Sequence, residues 1–269
     1  MLPHLGQIAD VATVTKWSCS PTDVWSIRST STGSDQLKSD SRFMPHPTPS
    51  SRHLSHFHII STRTTLAILS TEGTKIKDAS EILPVDKIFK YKYYDTYSGF
   101  ANLFRYALLL KNGGYWTDLD IVCLRPFDFE HDYIFAGQRI PDEDSIKVNN
   151  CIIKSPPHSP IMEYCYSRAS KKNPSDLKWG QTGPVLLTEA VLKYELQSFV
   201  AVPDTFCPID WWNWKNAIDM PYNPIIFENS FAIHLWNEMW RRNKINKSGK
   251  FADNCIYEKC REIMSPSHI

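Results

Sequence analysis

The sequence predicts an α/β fold. Three observations lead there. From Gly73 onward, segments with β-like patterning alternate with segments of helical periodicity; one helix ends at paired glycines that feed straight into a strand; and 42% apolar residues in a chain of 269 suffice for a substantial core. In chain order, Thr74 to Pro84 suits a strand end and a short turn. Ser98 offers the hydroxyl that an N-cap uses, and Phe100, Leu103, Phe104, Ala107 and Leu108 then recur at helical spacing, marking one buried face. Asn112, Gly113 and Gly114 supply a left-handed C-cap and a tight turn into the next strand. Tyr115 to Leu124 is β-like, interrupted by Asp118 and Asp120. Further strands are expected at Asp132–Ala136 and Val148–Ile153, helices at Pro160–Ala169 and Pro184–Lys193, and late strands at Phe199–Val202 and Ser230–Leu235. There is no internal repeat.

The ends of the chain read differently from its middle. Residues 1–70 are an atypical leader, rich in Ser, Thr, Pro and His and poor in hydrophobic periodicity, which fits a disordered segment. A second origin fits as well. The string from Ser55 to Thr65 can be back-translated so that a shifted frame encodes Ser-Leu-Ser-Tyr-His-Leu-Tyr-Thr-Tyr-Asp, a peptide better suited to a strand than the written one, so the leader is also readable as frameshift-derived. Residues 71–245 form the expected globular domain, and 246–269 a polar, peripheral tail.

Charge and cysteine usage narrow the function classes. Thirty Lys and Arg against 29 Asp and Glu give a formal net charge of +1, which lacks the basic footprint of a nucleic-acid binder. No window approaches the roughly 18 apolar residues of a membrane span, and the first residues lack a basic region followed by a long apolar run, so no signal peptide is expected. Seven scattered cysteines without a Cys-x-x-Cys spacing indicate neither a zinc knuckle nor a disulfide framework. Reduced thiols and a cytoplasmic location, free or peripheral at a membrane, follow as expectations. Aromatic residues reach 13% and concentrate after Tyr91; they serve equally as stacking faces for sugars and as core.

The strongest local signal is the block from Ser98 to Pro126: helix, Gly-Gly, strand, then Asp118-Leu-Asp120. Carboxylates at that spacing, on a turn leaving a strand, can surround one hard divalent cation, and Mg²⁺ and Mn²⁺ take oxygen ligands while keeping positions open for substrate phosphates. In open α/β sheets ligands bind beyond the carboxyl ends of strands, where this pair falls. Trp179-Gly-Gln181-Thr182-Gly183-Pro184 opens a helix and exposes backbone N–H groups to oxygen-rich ligands, or is an ordinary helix start. His234 closes a late apolar strand ahead of Trp236 and Asn237, a position that is structural as often as functional.

This block resembles the sugar-binding region of glycosyltransferases with the Asp-x-Asp motif, a family 32-like group that includes mannosyltransferases, α-1,4-galactosyltransferases, capsule-synthesis transferases and the catalytic domains of clostridial glucosylating toxins. The shared pattern is Asn102-Leu-Phe-Arg105-Tyr106, a helix, then Gly113-Gly-Tyr-Trp-Thr-Asp118-Leu-Asp120, and the likeness extends over about residues 73–245. It implies a GT-A-like fold with a mixed central sheet flanked by helices. It implies metal-dependent transfer of a sugar from a nucleotide-sugar donor to a hydroxyl acceptor on a glycan, polysaccharide or lipid-linked molecule, with Mn²⁺ or Mg²⁺ as cofactor and retention of anomeric configuration by front-face attack. By the same likeness Asp118, Asp120 and His234 are the metal set, and Asp118, Asp120 and Arg105 the catalytic set. Asn102, Arg105, Trp116, Asp118, Asn150, Gln181, Thr182 and Gly183 are the donor-binding set. Arg105 has a second reading as a buried salt bridge at the helix–strand corner, and Trp116 as core. Asn102 stands where relatives often have Asp, which leaves the donor sugar open. Asp210, in an aromatic loop resembling an acceptor-side segment, is an outside candidate for a polar contact there. Two other classes remain: a non-catalytic sugar-nucleotide- or carbohydrate-binding module, and a haloacid-dehalogenase-type phosphatase, whose Asp-x-Asp-x-Val nucleophile loop the run from Asp118 to Val122 also fits.

Overall fold

The structure is a computed structural model that describes residues 24–27, 57–61, 74–92, 94 and 96–263. Eight strands and seven α-helices follow one another among these residues: β1 Val24–Ile27, β2 Phe57–Ser61, β3 Thr74–Asp78, α1 Ser98–Asn112, β4 Gly114–Thr117, β5 Ile121–Cys123, β6 Ile134–Ile140, β7 Glu143–Ser155, α2 Pro160–Ser170, α3 Pro184–Lys193, α4 Pro203–Phe206, α5 Asn216–Asp219, β8 Ala232–His234, α6 Asn237–Arg242 and α7 Ile256–Ile263. Six strands make one sheet in the order β3-β2-β1-β4-β7-β6. The first four run parallel, and β7 and β6 join antiparallel, so the sheet is mixed, as the GT-A-like expectation requires. β5 and β8 pair separately and antiparallel, with Ile121 opposite His234. No helix among the described residues is long and apolar enough to cross a membrane.

Alternation along β4 sets the two layers. Neighbouring side chains on a strand point to opposite faces, so Trp116 joins one core cluster and Tyr115 another. The first cluster packs α1, α2 and α3 on the sheet through Phe104, Leu108, Ile153, Met162 and Leu187. Buried side chains of this kind contribute about 1.5–3 kcal/mol each. β5 repeats the alternation: Ile121 faces the second cluster, and Val122 faces a third built with Trp214, Ile218, Trp240, Ile256 and Cys260. The small sheet thereby joins two cores, and Asp118 and Asp120 lie in the turn between the large sheet and the small one.

Several expectations are corrected. Two strands fall inside the span read as a leader. Phe57–Ser61 is a strand as written, its Phe and Ile residues being sufficient strand formers; the rest of the reading of residues 1–70 lies outside the described residues. The described part of the segment after 245 is not peripheral: Cys255, Ile256 and Cys260 are buried, the last two in the third cluster. Tyr97, not Ser98, occupies the N-cap of α1, and Thr96 Oγ1 accepts the Ser98 N–H at 3.4 Å. Phe199–Val202 forms no strand. Gln197–Phe199 is a 3-10 turn, Val200 makes a single bridge to Phe135, and Pro203 starts α4. The strand expected at Asp132–Ala136 starts at Ile134 and runs on to Ile140, pairing with β7.

The paired glycines do what the sequence asks of them. Gly113 has φ +65°, its N–H bonds Leu109 O at 2.8 Å, and a Cβ there would stand 2.5 Å from Pro157 N. Gly113→Ala should therefore cost about 1–3 kcal/mol of stability, read as a lower urea midpoint with unchanged slope; an unchanged midpoint contradicts this account of the corner.

Candidate active site

Register brings the site together. β4 pairs with β7 so that Thr117 faces Ile152, and the chain leaving β4 donates Asp118 N–H to Cys151 O at 2.8 Å. Three residues on, β5 opens opposite His234, and Leu235 N–H bonds Asp120 O at 2.9 Å. The two aspartates thus sit in a turn pinned at both ends by other strands. Their carboxylates are partly buried, with 26% and 13% of the side chains exposed.

Each carboxylate has its own clamp. Asp118 Oδ1 accepts from Arg105 Nη1 at 2.9 Å and from Trp116 Nε1 at 2.8 Å. The same Arg105 Nη1 donates to Asn150 O, and the guanidinium lies over the Trp116 ring, 4.6 Å from its centroid. Asp120 Oδ2 accepts the backbone N–H of Asn237 at 2.8 Å and lies 3.3 Å from His234 Nε2. That N–H is aimed by Trp236, which holds the left-handed conformation at φ 53° and donates Nε1–H to Ile209 O at 2.7 Å. The Trp236 ring covers His234, with centroids 3.9 Å apart.

The clamps split the two acids electrostatically. Burial raises the Asp118 pKa; Arg105 opposes that and the neighbouring Asp120 adds to it, so the carboxyl ends above its ordinary value. Asp120 is buried too, yet His234 and the Asn237 N–H outweigh the desolvation and bring it to about 2. Burial works against a charged His234, but Asp120 and Cys151 hold its pKa well above the ordinary imidazole value.

These contacts use one oxygen of each carboxylate. Asp118 Oδ2 and Asp120 Oδ1 make no hydrogen bond among the described residues, which suits a hard cation taking one oxygen from each residue. Ligand atoms of Asp118, Asp120 and His234 all lie within 4.8 Å of one another. The two carboxylates supply the oxygen donors that Mn²⁺ or Mg²⁺ takes, with His234 Nε2 engaged on Asp120 Oδ2 behind them.

A second group lies beside Arg105. Asn150 Nδ2 donates to Asn102 Oδ1 at 2.7 Å. Gly183 abuts both amides: a Cβ there would come within 2.8 Å of Asn102 Nδ2 and 3.0 Å of Asn150 Nδ2. Thr182 Oγ1 and Tyr91 Oη are buried and make no well-formed hydrogen bond among the described residues. Hydroxyls of that kind keep capacity for a further polar partner. Burial raises the Tyr91 pKa, with Thr182, Arg105 and Gly180 nearby opposing it.

Of the sequence-expected residues, the structure groups Asn102, Arg105, Asp118, Asp120, Asn150, Thr182, Gly183 and His234. Two stand apart. Trp116 is 1% exposed, so its ring packs in the core and supports Asp118 rather than stacking on a ligand. Gln181 Oε1 accepts the Lys178 N–H, a contact within its own loop. Arg105 takes its alternative reading as a buried salt bridge. Asp210 is ion-paired with Arg139 at 3.2 Å. Tyr91 and the pairing of Cys151 with Cys207 were not singled out from sequence; neither has a local motif, and both depend on contacts across the fold.

Comparison with known proteins bears on the same residues. A family model described as "Glycosyltransferase sugar-binding region containing DXD motif" matches residues 50–156, and one described as "Alpha 1,4-glycosyltransferase conserved region" matches residues 155–266. The two matches together run from residue 50 to residue 266, and both models describe glycosyltransferases. Among similar proteins, the human Alpha-1,4-N-acetylglucosaminyltransferase is 26% identical over 171 residues, an alignment covering 58% of this chain and 48% of that protein, so the chain spans about half of that relative. Among solved structures, the PaToxG Glycosyltransferase matches at 15% identity with a TM-score of 0.39, covering 68% of this chain and 74% of that one. The first family match begins at residue 50 and so takes in β2.

Arg105 holds two groups through one nitrogen. Arg105→Gln removes the charge beside Asp118 and should lower unfolding free energy by about 2–3 kcal/mol in urea titration; a loss below about 0.5 kcal/mol would show that Asp118 has no need of it.

Proposed function

We propose that this chain transfers a sugar from a nucleotide-sugar donor to a hydroxyl acceptor, at a site organised by the Asp118–Asp120 turn. The observation that supports this most is the pair of clamped carboxylates, each with one oxygen committed to the protein and one available. In this reading Asp118 and Asp120 hold Mn²⁺ or Mg²⁺. When bound, such an ion neutralises charge on the departing diphosphate as a Lewis acid. His234, expected as a third ligand, acts through Asp120 instead: its Nε2–H supports Oδ2 and so orients the other oxygen.

The protein's own groups complete the site. Arg105 and Trp116 fix Asp118 so that it cannot turn back into the core. Asn102 and Asn150, locked to each other, present amide groups to donor-sugar hydroxyls. Thr182 and Tyr91 offer the buried hydroxyls beside them. Gly183 keeps the space in front of the amides open, since any side chain there would press on both. Polar groups placed in advance of the ligand lower the cost of orienting it. Retention of anomeric configuration by front-face attack of the acceptor belongs to the same reading, as does a glycan, polysaccharide or lipid-linked acceptor. The partly exposed Trp211 and Trp212 offer ring faces to an acceptor sugar.

Incubating the full chain with a panel of nucleotide sugars and Mn²⁺ should release sugar from one donor. Asp118→Asn and Asp120→Asn should each reduce that release at least about 100-fold while leaving the thermal unfolding profile folded and cooperative. Full activity in both variants sinks the assigned site; Mn²⁺-dependent donor binding without turnover, over a broad acceptor panel, sinks the enzymatic reading.

Gly183→Ala gives a separate check on the donor cradle. It should weaken nucleotide-sugar binding about tenfold or more, the equivalent of about 1.4 kcal/mol, in isothermal titration with Mn²⁺ present, while Mn²⁺ binding alone is unchanged. Unaltered donor affinity would place the sugar elsewhere.

A further inference from the structure

On the far side of His234 from the acidic pair, its free ring edge meets two cysteines that the transfer reaction does not use, the three side chains converging from three separate elements. Cys151 lies in β7, Cys207 follows α4 and His234 ends β8. Cys207 Sγ is 3.8 Å from Cys151 Sγ and 3.9 Å from His234 Nδ1, and one donor atom from each of the three residues lies within 4.8 Å of the others. We propose that these residues form a second metal site, a zinc ion held by two thiolates and one imidazole nitrogen, distinct from the oxygen site at Asp118 and Asp120.

The spacing supports a ligand set. With Zn–S bonds of about 2.3 Å and a tetrahedral angle, two sulfurs bound to one ion stand about 3.8 Å apart. Sulfurs in a disulfide are about 2.05 Å apart. The imidazole is oriented for the same task. Asp120 Oδ2, 3.3 Å from Nε2, keeps a proton on that nitrogen and turns Nδ1 toward the sulfurs. A carboxylate behind a metal-bound histidine is the usual arrangement for fixing its tautomer and raising its basicity.

The surroundings select the ion. Cys151, Cys207 and His234 are 0%, 1% and 6% exposed, and Ile152, Phe206 and Ala232 belong to the same apolar cluster as the two cysteines. Thiolate donors in a dry setting favour zinc over Mg²⁺ or Mn²⁺, which take oxygen ligands. The acidic turn offers the opposite chemistry on the other edge of the same imidazole. Binding replaces the two thiol protons, and any proton on Nδ1, with the metal; those protons leave to solvent, and no electrons are transferred. Three protein ligands leave the fourth tetrahedral position to a water or a small thiol. Because the ligands come from β7, the segment after α4 and β8, the ion would tie the large sheet to the small one.

This inference is independent of the sugar-transfer reading, and its test does not use turnover. The full chain, purified under reductant, would be saturated with zinc, dialysed against metal-free buffer and measured by mass spectrometry of the elements. About one zinc per chain should remain. Cys151→Ser and Cys207→Ser should each reduce it to background, whereas Asp118→Asn should retain it. Replacement with Co²⁺ should give the visible bands of a tetrahedral ion and a thiolate charge-transfer band, both lost in either cysteine variant. Should the cysteine variants misfold by circular dichroism, the wild-type spectrum still decides. Wild-type protein with no retained zinc and no cobalt–thiolate band overturns the proposal. So does a Cys151–Cys207 disulfide, seen as two thiols alkylated only after reduction, and so does zinc that survives both cysteine substitutions but is lost with Asp118→Asn.

Discussion

Two carboxylates one residue apart, both largely shielded from water, repel each other and lose hydration at once. The site can exist only because each has its own donors. Arg105 and Trp116 come from one core and serve Asp118; His234 and the Asn237 N–H come from the side of the small sheet and serve Asp120. The turn is therefore a junction. Its geometry depends on α1 packing against the large sheet and on β5 pairing with β8, and an error in either would leave a charge without its partner. Aromatic side chains stand behind both clamps: Trp116 and Phe104 back one, Trp236 and Trp240 the other.

The asymmetry between the two acids matters for what the site can do. Asp120, with its pKa near 2, is a permanent anion at ordinary pH. Asp118 is held higher, by burial first and by Asp120 second, so a cation arriving at the turn favours its charged form. A half-buried acidic pair of this kind gains more from a divalent ion than a solvated pair would, because the interaction is less screened. The polar cradle of Asn102, Asn150, Thr182 and Tyr91 lies on the Arg105 side of this turn, which places uncharged hydrogen-bonding groups next to the charged ones, as a ligand with both a diphosphate and a hydroxyl-rich ring would need.

Much of this arrangement was legible in the chain. The helix from Ser98, the glycine stop, the strand after it and the acidic pair were readable because each rests on local rules: periodicity, φ > 0 at Gly113, and alternation. Asn102, Asn150, Thr182 and Gly183 were readable through the family pattern. What stayed hidden depends on tertiary contact. Whether Trp116 faces a ligand or the core is decided by the register of β4 on β7, which no local pattern reveals. Gln181 sits in the right loop, but its amide turns back onto Lys178. Phe199–Val202 has strand-like residues, yet Pro203 and the neighbouring turn leave it one bridge to Phe135 rather than a ladder. Cys151 and Cys207 are 56 positions apart and meet only because β7 and the segment after α4 converge.

Trp236 keeps a backbone conformation that glycine would occupy without strain, and its side chain is the reason it cannot be exchanged for one. A glycine would relax the main chain and remove the lid over the imidazole in the same step. The easy mutational route to a more comfortable fold at this corner thus leads straight out of the chemistry, so the position has few neighbours in sequence space through which the protein can drift.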